Sequence, residues 1–418
     1  MKVIKNINQR QKTFEFNDFF GLTEKFSDVE IDEKSIRKSY HFNNIEYQLP
    51  TDKNYLEGYV VGGRYFLYCN DGYLYECLSD KVQSVMQVSA KPCAVAFSTH
   101  GEEKILFADN TDVAIIIDGN STVTVDFMPS QSLAVYGGRI FSVYQDSVSF
   151  TKLYDFGKDD LDLSQEGVLY LPKSEGGVIG TFNVDGALYL FTKENIFSLS
   201  GSGDSIDFKL EKIETERFSI HDKTLCKSDD GFIFICDNKL TKLMSGKVTY
   251  IDTVLDSKTY SVIGKATVKG SEYYLPIMIG ARQYLFTYNL RNGRQSLIYI
   301  LSGMVFENGG IVFYKSLSKV SRLDQDGLRF NSSRTWESKS LDLGSQKNKT
   351  IREIFIDSET VSTLSVSGDF GTITYQLALG RNHIKCNLPS SFYKFAISAS
   401  TAKFKISDFK INYVEREK

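Results

Sequence analysis

Short apolar runs, broken by brief polar stretches and then by glycine or serine, recur along most of the chain. Residues 184–203, VDGALYLFTKENIFSLSGSG, show the shape, and it returns in segments starting at Gly62, Glu102, Gly137 and Asp230. Two looser members begin at Ser271 and Gly309. Each reads as strand, tight turn, strand. The runs are rich in β-branched and aromatic residues, and the turns include Asn70-Asp71-Gly72, Asp109-Asn110 and Asp237-Asn238, types that tolerate left-handed backbone. The hairpin turns recur at intervals of roughly 36 to 48 residues, the period of propeller blades. A hairpin alone is marginal, whereas four-stranded blades stacked radially bury both of their faces.

Weaker strand candidates fill the gaps: CAVAF (93–97), STVTVDF (121–127), DFKLEKI (207–213) and KVTYIDTVL (247–255). The pattern predicts an all-β chain with a β-propeller over residues 55–328, of six to eight blades with seven favoured. An N-terminal segment, 1–54, precedes it, and YHFNNIEYQLP from Tyr40 is placed to supply a closing strand, since an open ring exposes an edge. Beyond DQDGLRFNSSR the period stops. About six strands separated by Gly, Ser and Asp turns then predict a small C-terminal β-sandwich over 329–418, opened by the sole tryptophan, Trp336.

The composition, with 24 Tyr, 30 Phe and only 6 Pro, suits a folded, strand-rich chain. A net charge of −3 carries no broad positive field for nucleic acid. In the last 90 or so residues basic side chains outnumber acidic ones, an asymmetry able to guide a partner. No apolar stretch has the length of a membrane span and the N-terminus lacks a signal-peptide core, so the expected place of synthesis is the cytoplasm. The six cysteines are widely spaced without a CxxC and read as buried thiols.

Residues able to do chemistry are sparse. His41, His100, His221 and His383 are far apart, so no metal motif can be written, and no cofactor is expected. SGSGDS (200–205) sits between strand candidates and not before a helix, which removes the phosphate-cradle reading. The densest carboxylates, Asp155, Asp159, Asp160 and Asp162, read as a surface loop; a calcium loop or a two-acid hydrolase are the rivals. The expectation is a chain that is not an enzyme.

Residues 134–199, from AVYGGRIFSVYQDSVSF through GGVIGTFNVDGALYLFTKENIFSL, resemble two successive blades of tail-associated β-propeller proteins of tailed bacteriophages. These are the tail-hub or nozzle proteins, also called packaged-DNA stabilisation proteins. Arg139, Phe150, Asp155, Gly177, Gly186 and Leu188 fall at the matching places. Phe20-Gly21-Leu22 is similar to the family's opening motif but is followed by Thr23 where the family has Asn. The closing stretch, TWESKSLDLG and then LALGRNHIKCNLPSSFYKFAISAS, resembles the family's sandwich.

The resemblance implies a non-enzymatic virion protein at the head–tail junction or in the tail, made in the host bacterial cytoplasm. It implies a homo-oligomeric ring around the DNA path, contacting other virion proteins and passing packaged DNA without adhesion. Interface candidates are the loop 154–166 with Asp155, Asp159, Asp160 and Asp162, the segment 23–38, and the basic positions Arg352, Arg381, Lys394 and Lys403. The alternative is a propeller binding module for a cell-surface glycan or protein, in which Tyr136, Tyr154 and Tyr170 stack on sugar rings.

Overall fold

The computed structural model describes residues 11–19, 22–27, 29–31, 34–38, 41–48, 55–78, 81–154, 161–172, 177–184, 186–201, 207–213, 219–300, 304–308, 311–316, 319–324, 334–400 and 404–415. Over most of that span the chain is a succession of four-stranded antiparallel sheets. Consecutive strands build those at 55–87, 93–126, 132–170, 178–212 and 226–251. The sheet of Met304–Asn308, Ile311–Ser316 and Lys319–Asp324 takes its fourth strand from His41–Gln48, far upstream. Strands at 260–299 follow the same order but belong to an eleven-stranded sheet. In every case the middle two strands form the hairpin visible in the sequence.

Packing between first strands closes the circuit. Tyr55–Val61 lies against Cys93–Thr99, that strand against Ser132–Tyr136, and that against Val178–Val184. Phe182 and Phe191 then meet Phe232 of the next sheet, with ring centroids 5.4 and 4.8 Å apart. Cys226–Ser228 packs on Thr267–Lys269, that on Met304–Asn308, and that returns to Tyr55–Val61. This is a β-propeller layout, with first strands innermost. Central strands are covered on both faces, so Arg139–Tyr144 and Gly231–Cys236 are buried almost throughout, and the second reads as an unbroken apolar run instead of an alternating one. Outermost strands such as Ser121–Asp126 are mainly exposed.

The turn chemistry separates into two kinds. Gly72 (φ +78°), Asp237 (φ +49°) and Asn238 (φ +63°) adopt the left-handed backbone expected of them. Asp109 and Asn110 do not; instead the Asp109 carboxylate accepts from the Thr111 amide at 2.9 Å and the Ala90 amide at 3.1 Å, building the turn through its side chain.

Outside the ring, two sheets share one core. One contains Thr23–Ser27, Arg334–Ser338, Lys394–Ala399, Ser362–Gly368 and Gly371–Leu377, in that order. The other is the remainder of the eleven-stranded sheet: Val29–Ile31, Ser35–Lys38, Lys405–Glu415, Lys349–Ser358 and Gly380–Ser390, with Gln11–Glu15 also paired to Lys405–Glu415. Between them Trp336 is fully buried; its Nε1 donates to Thr23 Oγ1 at 2.7 Å, and Phe16 and Phe19 pack on its ring. Residues 11–38, set apart in the sequence reading from the unit beginning at 329, thus supply strands to both of its sheets. The reason is edge coverage, because Lys405–Glu415 would otherwise present unpaired backbone to solvent.

The two parts are joined by strand pairing as well as by the chain itself. Val29–Ile31 pairs with Gln295–Tyr299, the outermost strand of the 260–299 sheet, and so continues that sheet into the second core. Tyr273, Leu275 and Phe286 of the propeller join Trp336, Ile354 and Ile411 in one apolar cluster.

Candidate functional site

Asp155, Asp159 and Asp160 lie outside the described residues, as does Lys403. Asp162 is described, and its role is local. One carboxylate oxygen accepts from the Ser164 amide at 3.0 Å and the other from Lys152 Nζ at 3.0 Å. The Ser164 hydrogen bonds, with Lys152 beside them, hold its pKa well below the usual carboxylate range. Next to this loop the buried Arg139 pairs with Glu166, donates to the Thr151 carbonyl at 2.8 Å and lies over the Phe150 ring.

The basic candidates are also engaged, and in separate places. Arg352 donates to Asn387 Oδ1 at 2.9 Å and Arg381 to Asp357 at 3.4 Å, at opposite ends of one strand pair. Lys394, in the other sheet, bridges Glu24 (2.7 Å) and Glu337 (2.6 Å), pinning the edge strand Thr23–Ser27. The sugar-stacking role considered for Tyr136 does not hold. Its ring is buried and its hydroxyl donates to the Gly186 and Gly201 carbonyls at 3.1 and 3.0 Å, joining neighbouring parts of the core. Tyr154 packs edge-on against Phe97, whereas Tyr170 is exposed.

Two features escaped sequence reasoning. The first is a cleft of about 660 Å³ at the end of the ring carrying the hairpin turns. Lys193, His221, Asp222, Asp237 and Tyr260 reach it from three successive sheets and the linker between two of them. Its walls are held by backbone bonds: Ile220 N to Lys193 O, Asp237 N to Ser219 O, and His221 N to Ile235 O, at 2.9 to 3.1 Å. The His221 Nδ1 atom is buried without a hydrogen-bond partner, 3.3 Å from Asp222 Oδ1. Burial lowers the His221 pKa, keeping the imidazole neutral at neutral pH. With an ammonium and two carboxylates around a neutral ring, the cleft offers both donors and acceptors to a polar ligand.

The second is a polar ladder on the outer face of the second unit. Glu353 accepts from Asn412 Nδ2 (3.0 Å) and Gln11 Nε2 (3.2 Å) and meets His383 Nε2 (3.1 Å). The Asn412 and His383 hydrogen bonds hold the Glu353 carboxyl below its ordinary range. His383 lies flat on Phe355, centroids 4.5 Å apart and planes 11° from parallel. These residues come from four strands scattered through the sequence, so only the period-2 alternation within each strand hinted at a shared face.

Among the described residues no group of three His, Cys, Asp or Glu side chains has metal-ligand geometry. All six cysteines are free, and burial pushes Cys77, Cys93, Cys226 and Cys236 up to about 12, leaving them as protonated, inert thiols at neutral pH. Among the described residues no helix is long and apolar enough to cross a membrane.

No protein-family model and no curated protein matches the sequence. Solved structures with a similar course include BamB from Moraxella catarrhalis, at 10% identity and a TM-score of 0.43, covering 76% of this chain and 96% of that one. The extracellular domain of BT4673 from B. thetaiotaomicron aligns at 10% identity and a TM-score of 0.45, over 81% of this chain and 48% of that one.

Proposed function

We propose that the chain is a non-enzymatic structural protein of a tailed-phage virion, working at the head–tail junction or in the tail as one copy in a ring. In this reading the ring-shaped part is a seven-bladed propeller closed by residues 41–48, and residues 11–38 with 334–415 form a β-sandwich fixed to one blade. The observation that carries the reading is the eleven-stranded sheet, which runs from the 260–299 blade into the second unit without a break. Two bodies sharing a sheet and one apolar cluster hold a set angle, as a part built into a larger assembly must. The resemblance of residues 134–199 and of the closing strands to phage tail propellers supplies the setting.

The test is the solution mass and negative-stain image of the purified protein, together with its presence in particles of the parent phage or prophage. A ring, or stoichiometric incorporation into particles, supports the reading; absence from purified particles overturns it. The cleft at His221 favours a second reading, a propeller binding module. A thermal shift with a glycan or surface protein that is abolished by Asp237→Ala, in a protein absent from particles, would select that reading.

A further inference from the structure

The most apolar exposed surface of the second unit surrounds one strand. Among the described residues Gly371–Leu377 is the last strand of the five-stranded sheet, paired on one side only, with Ser362–Gly368. Its sequence, with its flanks, is FGTITYQLAL (370–379), ten residues without a charge. The exposed large apolar residues concentrate at its two ends. Phe370 (81% exposed) and Phe392 (45%) stand at one, and Leu379 (72%) and Val361 (60%) at the other. Natural edge strands are protected by lysines, prolines, bulges or cover, and among the described residues this one has none of these.

The end carrying the two phenylalanines is firmly built. The Asp369 amide donates to Ser390 Oγ and the Asp369 carboxylate accepts from the Ser391 amide, both at 2.8 Å, tying the two turns together. Beneath them the buried Lys349 ammonium donates to the carbonyls of Ser345, Lys347 and Ser391. Phe370 and Phe392 are therefore presented on fixed turns and do not fold back into the core.

We infer that Gly371–Leu377 is the seam of a two-fold pair, adding in antiparallel fashion to the same strand of a second copy of this chain. The occupant follows from self-complementarity. Faces match only if paired positions sum to an even number, and centring on Thr374 pairs the full strand with itself. That register sets Ile373 against the partner's Tyr375, a β-branched and aromatic pair. Thr372 meets the partner's Gln376 and Thr374 meets its own equivalent, prolonging the hydroxyl ladder already formed by Ser365 with Thr374 and Ser367 with Thr372. Most tellingly, the Phe370 end of each copy meets the Leu379 end of the other, so both apolar clusters are covered twice by one symmetry operation.

A peptide of another protein would have to match the apolar clusters at both ends, whereas a second copy does so automatically. The pairing goes beyond the virion reading, because it concerns copies in free solution. Its test is sedimentation equilibrium of the full chain, with amide hydrogen exchange across residues 371–377. The expected result is a monomer–dimer equilibrium with protection of those amides rising with concentration. Thr374→Lys sets two like charges opposite one another and should weaken the dimer by at least about tenfold. Phe370→Lys should weaken it too, with far-UV circular dichroism unchanged throughout. A chain that stays monomeric at all concentrations, or an oligomer indifferent to Thr374→Lys, overturns the inference. The second of these outcomes leaves the virion reading standing, and absence from particles with an intact, Thr374-dependent dimer removes that reading alone.

Discussion

The outermost strand of the 260–299 sheet and those of its neighbours hold equivalent places and have opposite surroundings. In Gln295–Tyr299, residues 295–298 are all buried, because Val29–Ile31 lies alongside. In Val82–Gln87, Ser121–Asp126 and Lys209–Lys212, the equivalent positions are exposed or half-exposed. Gln295 and Ser296 show what the cover demands. Gln295 Oε1 accepts from the Val254 amide at 3.0 Å, and Ser296 shares a 2.8 Å hydrogen bond with Thr287. The same polar residue types at the other rims need no protein partner, since water serves them. A blade's outer strand is thus not apolar or polar by rule; what is laid beside it decides what each side chain must satisfy.

The largest test of this contrast places a charge at each kind of rim. Leu297→Lys buries an unpaired ammonium and should cost roughly 3–5 kcal/mol, while Val123→Lys, on an exposed rim, should stay within about 0.5 kcal/mol. Urea unfolding of the two variants reads the difference, and equal losses would break the contrast. A finer pair removes only hydrogen-bonding capacity. Gln295→Ala orphans the buried Val254 amide and should cost about 1–3 kcal/mol, against near zero for the exposed Gln83→Ala.

The smallest effect sits at the inner margin of the same sheet, where His221 faces Tyr260–Val262 across the cleft. Its folded pKa lies below the value of about 6.5 for an unfolded imidazole. The unfolded chain therefore binds the extra proton first, so stability is complete above about pH 6.5 and declines as pH falls from there toward the folded pKa. His221→Gln should flatten the fall in Tm between neutral and mildly acidic pH; an unchanged slope would remove His221 from that account.

The rims also mark where the sequence stops being readable. Asn70-Asp71-Gly72 and Asp237-Asn238 announce their turns because left-handed backbone restricts residue choice locally. Central strands announce themselves because two covered faces demand continuous apolar runs. Val29–Ile31 and Ser35–Lys38 carry no such mark: they are short, hold Glu30, Arg37 and Lys38, and have their partners in Gln295–Tyr299 and Lys405–Glu415. Glu30 is nevertheless buried, its charge met by the Arg37 guanidinium at 2.5 Å, a compensation invisible until the strands pair. The polar ladder at Glu353 and the cleft at His221 were hidden for the same reason, each assembled from residues that only tertiary structure brings together. Tyr136 misled in the other direction: a tyrosine near a turn reads as exposed until its ring is seen to be buried and its hydroxyl to meet the Gly186 and Gly201 carbonyls.

His41–Gln48 can complete its sheet only with Lys319–Asp324, and Thr13 reaches its bonding partner Asn412 across 399 positions. On a ribosome adding about 5–20 residues per second, the first of these strands waits roughly 15 to 55 s for its mate. During that interval the upstream strand is an orphan that any holdase or protease in the cell can reach, and the yield of finished protein should follow the speed of translation.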